Sequence, residues 1–398
     1  MIAELREAIN NSFENAYYEH LLADVERRFG EPCPFRISET PVFIDKALKK
    51  KVFEACDAIL EQLEELDFES IRNRFMPKAL QSPGQVGTPH FRGIDFGLCE
   101  SDDGTIEPQL IELQAFPSLF FYQQFLGGAL KEHYPNLPTN GFDYFFSGLD
   151  DTSYLREMAS LILGSHAPEN VILMELFPEK QKTRIDFWAT SQALGIEVVC
   201  YTKILREGKH LFYMKNGKKI PVRRIYNRVI YDELQRMPDL KTSFNLFDDV
   251  NVEWVTHPDW FFMISKCIMP MLRHKYIPES FYLDKIPEGT NLANYVLKPM
   301  FSFAGAGINL DPTHNTIGEI PDKQNYLLQK KVTYAPLIKT KTDKNAKVEL
   351  RILYIWSESE KRFKPVINLT RMAKGALINV SHVTDERWIG SSISLFES

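Results

Sequence analysis

Three groups of residues in this 398-residue sequence combine types suited to phosphate and carboxylate chemistry. The first is RGIDFGLCESDDGTIEPQLIELQAFPSL, residues 92–119. Asp103-Gly104 is a favoured two-residue hairpin turn. A turn centred there pairs residues whose numbers sum to 207, so Asp95 faces Glu112 across the strands. Strand alternation puts Gln114 on the same face as Glu112. Like charges placed opposite each other destabilise a strand pair, and a divalent cation would offset the repulsion. Mg²⁺ takes oxygen ligands, which Asp, Glu and the Gln carbonyl all supply. A solvated outer hairpin face remains an equal alternative for the carboxylates taken alone.

The second group is NYVLKPMFSFAGAGINLD, residues 294–311, in which Lys298 precedes a small-residue loop containing Ser302, Gly305 and Gly307. Glycines let the backbone close over phosphates, whose charge is met by N–H groups and a lysine. The loop lies between strands, unlike a Walker A loop or a Rossmann fingerprint. A plain glycine-bearing hairpin is the competing reading. The third group is a strand pair. KVELRILYIW places Glu349 and Arg351 on one face, and Arg371 follows on the next strand. Arginine suits bidentate binding of phosphate or carboxylate, whereas Glu349 is expected in a structural ion pair with a neighbouring arginine. Between the second and third groups, YLLQKKVTYAP ends a strand in polar residues where free backbone groups could read an adenine edge.

The elements that must position these groups are legible as patterns. Residues 1–70 read as helices, with Leu48, Val52, Cys56, Ile59 and Leu63 at helical spacing. Residues 90–116 have strand texture, and 119–165 are mainly helical with a break at 135–141. From 170 the pattern is α/β, with strands at 171–176 and 196–201 and a hairpin turning at Asn216-Gly217. Residues 258–274 predict a helix, and the remainder is strand-rich, with strands expected at 295–299, 307–310, 325–332, 347–356 and 364–370. The expected fold class is therefore mixed α/β (α+β).

Composition narrows the function. Hydrophobic residues make up 44% and charged residues 25%, which suits a globular chain. The net charge of −6 argues against a nucleic-acid or anionic-membrane binder. Yet residues 201–228 hold 9 basic and 1 acidic side chains, and residues 323–347 hold 7 and 1, so anions have local places to bind. In VRRIYNRVIYDEL, Asn227 and Arg228 lie between apolar residues and could hold an acidic substrate. The five cysteines, odd in number and far apart, predict neither a disulfide framework nor a zinc site. Neither a signal peptide nor a membrane span is legible, so a cytoplasmic location is expected.

Taken together, the three groups resemble the ATP-grasp superfamily. There a lysine-bearing strand and glycine flap hold phosphates, a linker holds adenine, and a D…E-x-N set holds Mg²⁺. Here Asp95…Glu112-x-Gln114 precedes the lysine flap by some 190 residues. That order is similar to the circularly permuted branch, which includes the glutathionylspermidine synthase amide-ligase domain, and ELQAFPSL is similar to its E-x-N-x-x-x-P-x-x-L pattern. The resemblance implies ATP and Mg²⁺ as cofactors. It implies Asp95, Glu112 and Gln114 as metal ligands, with Gln in place of the usual Asn. Lys298 and Lys266 resemble the ATP lysines, Ser302, Gly305 and Gly307 the flap, and Gln329, Lys330, Lys331 and Val332 the adenine linker. Arg92, Arg351 and Arg371 resemble catalytic arginines near the metal and acyl phosphate, although Arg92 is one residue further from its aspartate than the branch has it. The implied organisation is a helical segment at 1–85, a metal-binding part with helices at 86–165, an inserted Rossmann-like pre-ATP-grasp domain at 166–257, and the lysine and flap subdomain with central strands at 258–398. The implied activity is carboxylate–amine ligation through an acyl phosphate, with small-molecule or peptide acid and amine substrates. A phosphotransferase of the same fold and a non-catalytic ATP-binding module are the alternatives.

Overall fold

A five-stranded antiparallel sheet holds the carboxylate hairpin. Its order is β17 (Gly390–Ser392), β16 (Arg362–Ala373), β15 (Lys347–Ser357), β2 (Phe91–Glu100) and β3 (Ile106–Gln114). The computed structural model describes residues 2–76, 78–84, 86–101, 103–138, 140–301, 307–341, 344–375 and 387–398. Alternation along β2 sorts its side chains. Ile94, Phe96 and Leu98 are fully buried in a core shared with Leu350 and Ile352 of β15 and with helix α3 (Lys46–Glu64). Gly93, Asp95 and Gly97 face the other way. Helix α3 starts where Asp45 accepts the Leu48 N–H at 2.8 Å, and it buries Leu48, Val52, Cys56, Ile59 and Leu63, as the spacing predicts.

Helices α1 (Ala3–Ser12), α2 (Asn15–Phe29), α4 (Phe68–Phe75), α5 (Phe120–His133) and α6 (Asp151–Leu163) complete the helical part. A small sheet joins β1 (Val42–Ile44), β18 (Ser394–Glu397) and β4 (Phe142–Asp143). A parallel sheet of order β11 (Glu253–Val255), β10 (Arg224–Asn227), β5 (Val171–Glu175) and β6 (Glu197–Cys200) packs with helix α7 (Arg184–Leu194). Beside it lies the three-stranded antiparallel meander β7 (Leu205–Glu207), β8 (His210–Lys215) and β9 (Lys218–Val222). Its β8–β9 turn is Asn216-Gly217 with φ of 50° and 75°, the doubly left-handed turn that this dipeptide favours. The lysine strand β13 (Tyr295–Pro299) pairs with β14 (Tyr326–Lys330), which also pairs with β12 (Ser280–Tyr282).

Two expected elements differ. The helix expected over 258–274 is a single helical turn, Trp260–Met263, followed by a 3-10 stretch, Lys266–Met271. Ser265 is extended and Pro270 has no N–H to donate, so an α-helix does not run through. The strand expected at 307–310 is reduced to one bridge between Asn309 and Leu297.

Candidate functional site

The hairpin brings Asp95 opposite Glu112, as the sequence predicts, but by a different route. The last pair before the turn is Glu100 with Ile106, and Ser101 N–H donates to the Thr105 carbonyl at 2.9 Å. Near the turn the paired numbers therefore sum to 206. The register shifts between Asp95 and Phe96, leaving Ile111 as a bulge, and beyond it the sum is 207. Gly93 and Gly97 flank Asp95 on its face and leave room there. A Cβ at Gly93 would lie 3.2 Å from Gln114 Cγ, and one at Gly97 would lie 2.7 Å from the Tyr334 ring.

The bulge is where the lysine sheet meets β3. Lys298 Nζ donates to the Ile111 carbonyl at 3.3 Å and to the Gln329 side chain. Gln329 Nε2 donates to the Leu110 carbonyl at 3.0 Å. Burial pulls the Lys298 ammonium down to about 8, although Glu112 acts to raise it. Lys266 Nζ stands 3.9 Å from Glu112 Oε2. Lys298, Lys266 and Gln329 thus converge on the carboxylate hairpin from the second sheet and the segment before it.

From the other side come the arginines of β15 and β16. Arg351, paired with Asp95 in register, grips both of its oxygens, with Nη2 at 2.6 Å from Oδ2. Arg371 Nη2 lies 2.6 Å from the same Oδ2 and 3.0 Å from Glu349 Oε2. Burial alone would raise the Asp95 pKa, but the two guanidinium groups outweigh it and hold Asp95 below its ordinary value. Glu349, also buried, is raised despite Arg371, and its other oxygen accepts from the Tyr334 hydroxyl. The expected Glu349–arginine ion pair forms, and it forms inside the site. Tyr334 and the two glycines had no signal as site residues in the sequence. The G-x-D-x-G spacing of Gly93, Asp95 and Gly97 is the feature that could have found the glycines.

These positions bear on Mg²⁺. Both Asp95 oxygens are engaged by arginine, so Asp95 does not fit a metal ligand in this arrangement. Glu112, whose side chain is 28% exposed, has Arg351 and Lys266 only at 3.7 and 3.9 Å. Gln114 uses its amide nitrogen on the Phe116 carbonyl at 3.4 Å, leaving its oxygen as the donor atom. Glu112 and Gln114 therefore fit an oxygen-ligated cation. The cavity lined by Glu112, Gln114 and Lys266 is only about 20 Å³, room for roughly one water.

The remaining candidates divide. Arg92 does not join this group. An offset of three from Asp95 puts it on the opposite face of β2, where it pairs in register with Tyr354. Lys330 is exposed, and Lys331 bonds Asp311 at 2.9 Å. Their backbone N–H groups donate to the Glu279 and Asn294 carbonyls, while Val332 is half-buried. Gly307, at φ +74°, sits where a Cβ would be 2.8 Å from Pro299 Cγ, so the chain returns tightly against the Lys298-Pro299 corner. Ser302 and Gly305 lie outside the described residues. Asn227 accepts the Val229 N–H at 3.2 Å. Arg228 is spent on buried Asp186 at 3.2 Å and lies over the Phe116 and Phe187 rings. Asp186 in turn accepts the N–H groups of Leu119, Phe121 and Tyr122 where α5 begins. Among the described residues, no helix is long and apolar enough to cross a membrane.

The architecture has a solved counterpart. It matches the apo structure of a glutathione synthetase-like effector, GSS30, from Globodera pallida, with a TM-score of 0.59 over 97% of this chain and 98% of that one. The fold is that of this effector. Sequence identity across the match is 11%, so the likeness is one of fold. No protein-family model and no curated protein matches the sequence.

Proposed function

We propose that this chain is an ATP-dependent carboxylate–amine ligase of the permuted ATP-grasp type. One observation carries the reading. Four cations, Lys298, Lys266, Arg351 and Arg371, gather around Asp95, Glu112 and Glu349 where the lysine sheet meets the carboxylate hairpin. Such a surplus of positive charge suits a polyphosphate. In the reaction, a substrate carboxylate attacks the γ-phosphate to give an acyl phosphate and ADP. An amine then displaces phosphate and forms the amide. Phosphoryl transfer asks the protein mainly for positioning and charge neutralisation. Lys298 and Lys266 would bind phosphate oxygens, and the Arg351 and Arg371 guanidinium groups would turn toward charge developing on the transferred group. Glu112 and Gln114 would hold Mg²⁺, which supplies further charge neutralisation when bound. The G. pallida protein's description as glutathione synthetase-like supports the reaction class. A screen of acid and amine pools with Mg·ATP, read by mass spectrometry, should show ADP and one condensed product.

A second reading, a nucleotide-binding module without turnover, is favoured by the engagement of both Asp95 oxygens and by the 20 Å³ left beside Glu112. A saturable Mg·ATP thermal shift without ADP formation in any substrate pool would select it. The absence of both would remove the ATP-grasp assignment.

A further inference from the structure

On the face of the central sheet away from Asp95, Arg92 opens onto a cavity of about 680 Å³. Arg92 is only 5% exposed, and neither Nε nor Nη1 has a hydrogen-bond partner among the described residues. Burial lowers its pKa to about 10, with Glu64 opposing the shift. Glu64 is exposed and forms no ion pair with it among the described residues. A buried guanidinium with unmet donors costs free energy unless an anion meets them. The other cations of the wall are already committed. Arg72 binds Asp259 through Nε at 2.6 Å, and Lys361 binds Glu358 at 2.6 Å.

The wall also holds four aromatic side chains, together with apolar Leu63 and Met263 and the exposed carboxylates of Glu64 and Glu69. The Arg92 guanidinium lies 3.7 Å from the centroid of Phe363, whose ring is 5.2 Å from that of Trp356. Trp260, which also lines the cavity, meets Phe68 of α4 edge-on at 4.8 Å. We propose that this cavity is a binding site for an aromatic carboxylate, with the acid group on Arg92 and the ring system among the two aromatic pairs. Arg92 is the one cation of this wall with no ion pair among the described residues, and with the exposed Glu64 and Glu69 on the same wall it suits a monoanion at most. A phosphate dianion would bring a charge that this wall leaves unmatched. The volume lies within the range of small-ligand pockets.

Calorimetric titration of the full chain with 2-naphthoate, 2-naphthamide and 2-naphthyl phosphate tests the assignment. The acid should bind saturably, and the isosteric amide about tenfold or more weaker. Arg92→Met, which keeps the stem over Phe363, should weaken the acid about as much as amidation does. Equal binding of acid and amide, tighter binding of the phosphate, no saturable heat up to ~10 mM acid, or unchanged affinity in a folded Arg92→Met protein would each overturn it. The acid-to-amide comparison needs no variant, and no arm uses ATP.

Discussion

Asp95 carries a full negative charge in the interior because two guanidinium groups supply what water would. The repulsion that the sequence assigns to a metal to relieve is relieved here by Arg351, which lies between Asp95 and Glu112. Without Arg351, buried Asp95 keeps Arg371 on Oδ2 but loses the partner of Oδ1, and a buried ion pair robbed of one partner is strongly destabilised. Arg351→Met should therefore cost on the order of 3–5 kcal/mol in urea unfolding. Adding Asp95→Asn should recover much of that loss, and a double variant no more stable than Arg351→Met would show that the pair contributes little. Lys298 gives a pH signature. It is charged below its value of about 8 and neutral above it, so ATP affinity should fall as pH rises past 8. Lys298→Arg stays charged and should flatten the profile between about pH 7 and 9.5 in calorimetric titrations. Parallel profiles would exclude Lys298 from the phosphate site.

At the scale of elements, strand β2 is the seat of the site, and its glycines set how closely the linker approaches. Tyr334 rests on Gly97 and reaches Glu349 from there. Gly97→Ala would place a methyl group 2.7 Å from that ring, so either strand or linker must yield. Overpacking of this kind costs about 1–3 kcal/mol. Tyr334→Ala in the same chain should relieve most of it, and purely additive losses in thermal melts would refute the contact. Much of this geometry was legible in sequence because period-two alternation is robust. It put Glu112 with Gln114, and Glu349 with Arg351. The Asp95–Glu112 pairing was right through two offsets that cancel. The turn closes one residue earlier in the register sum, and the Ile111 bulge restores the count. Neither offset has a sequence signature as clear as Asn216-Gly217. Arg92 shows the other side of that rule, since one residue of spacing exchanged the site face for the aromatic cavity. The partners of Arg228 were hidden because Asp186 lies on α7, and only the tertiary fold brings it to the end of β10.

At the scale of the whole molecule, the buried charge at the end of the parallel sheet is less compensated than that of the Asp95 group. Glu175 closes β5 with 2% of its surface exposed, accepting the Leu176 N–H at 2.7 Å. Burial raises its pKa to about 8, and Arg228 only partly opposes this. The folded value thus stands above the unfolded one, so the native state binds the extra proton through the interval between them. The stability tied to this proton is complete below the ordinary carboxylate value of about 4.3. It declines as pH rises and is gone above about 8. At roughly 1.4 kcal/mol per pKa unit, the loss is on the order of 5 kcal/mol. Glu175→Gln keeps the shape and cannot ionise. Its urea midpoint should match the parent near pH 4 and exceed it near pH 8, with the difference growing steadily between. If parent and variant lose stability in parallel over that range, Glu175 is not the group that titrates, and the parallel sheet's end tolerates its charge through Arg228.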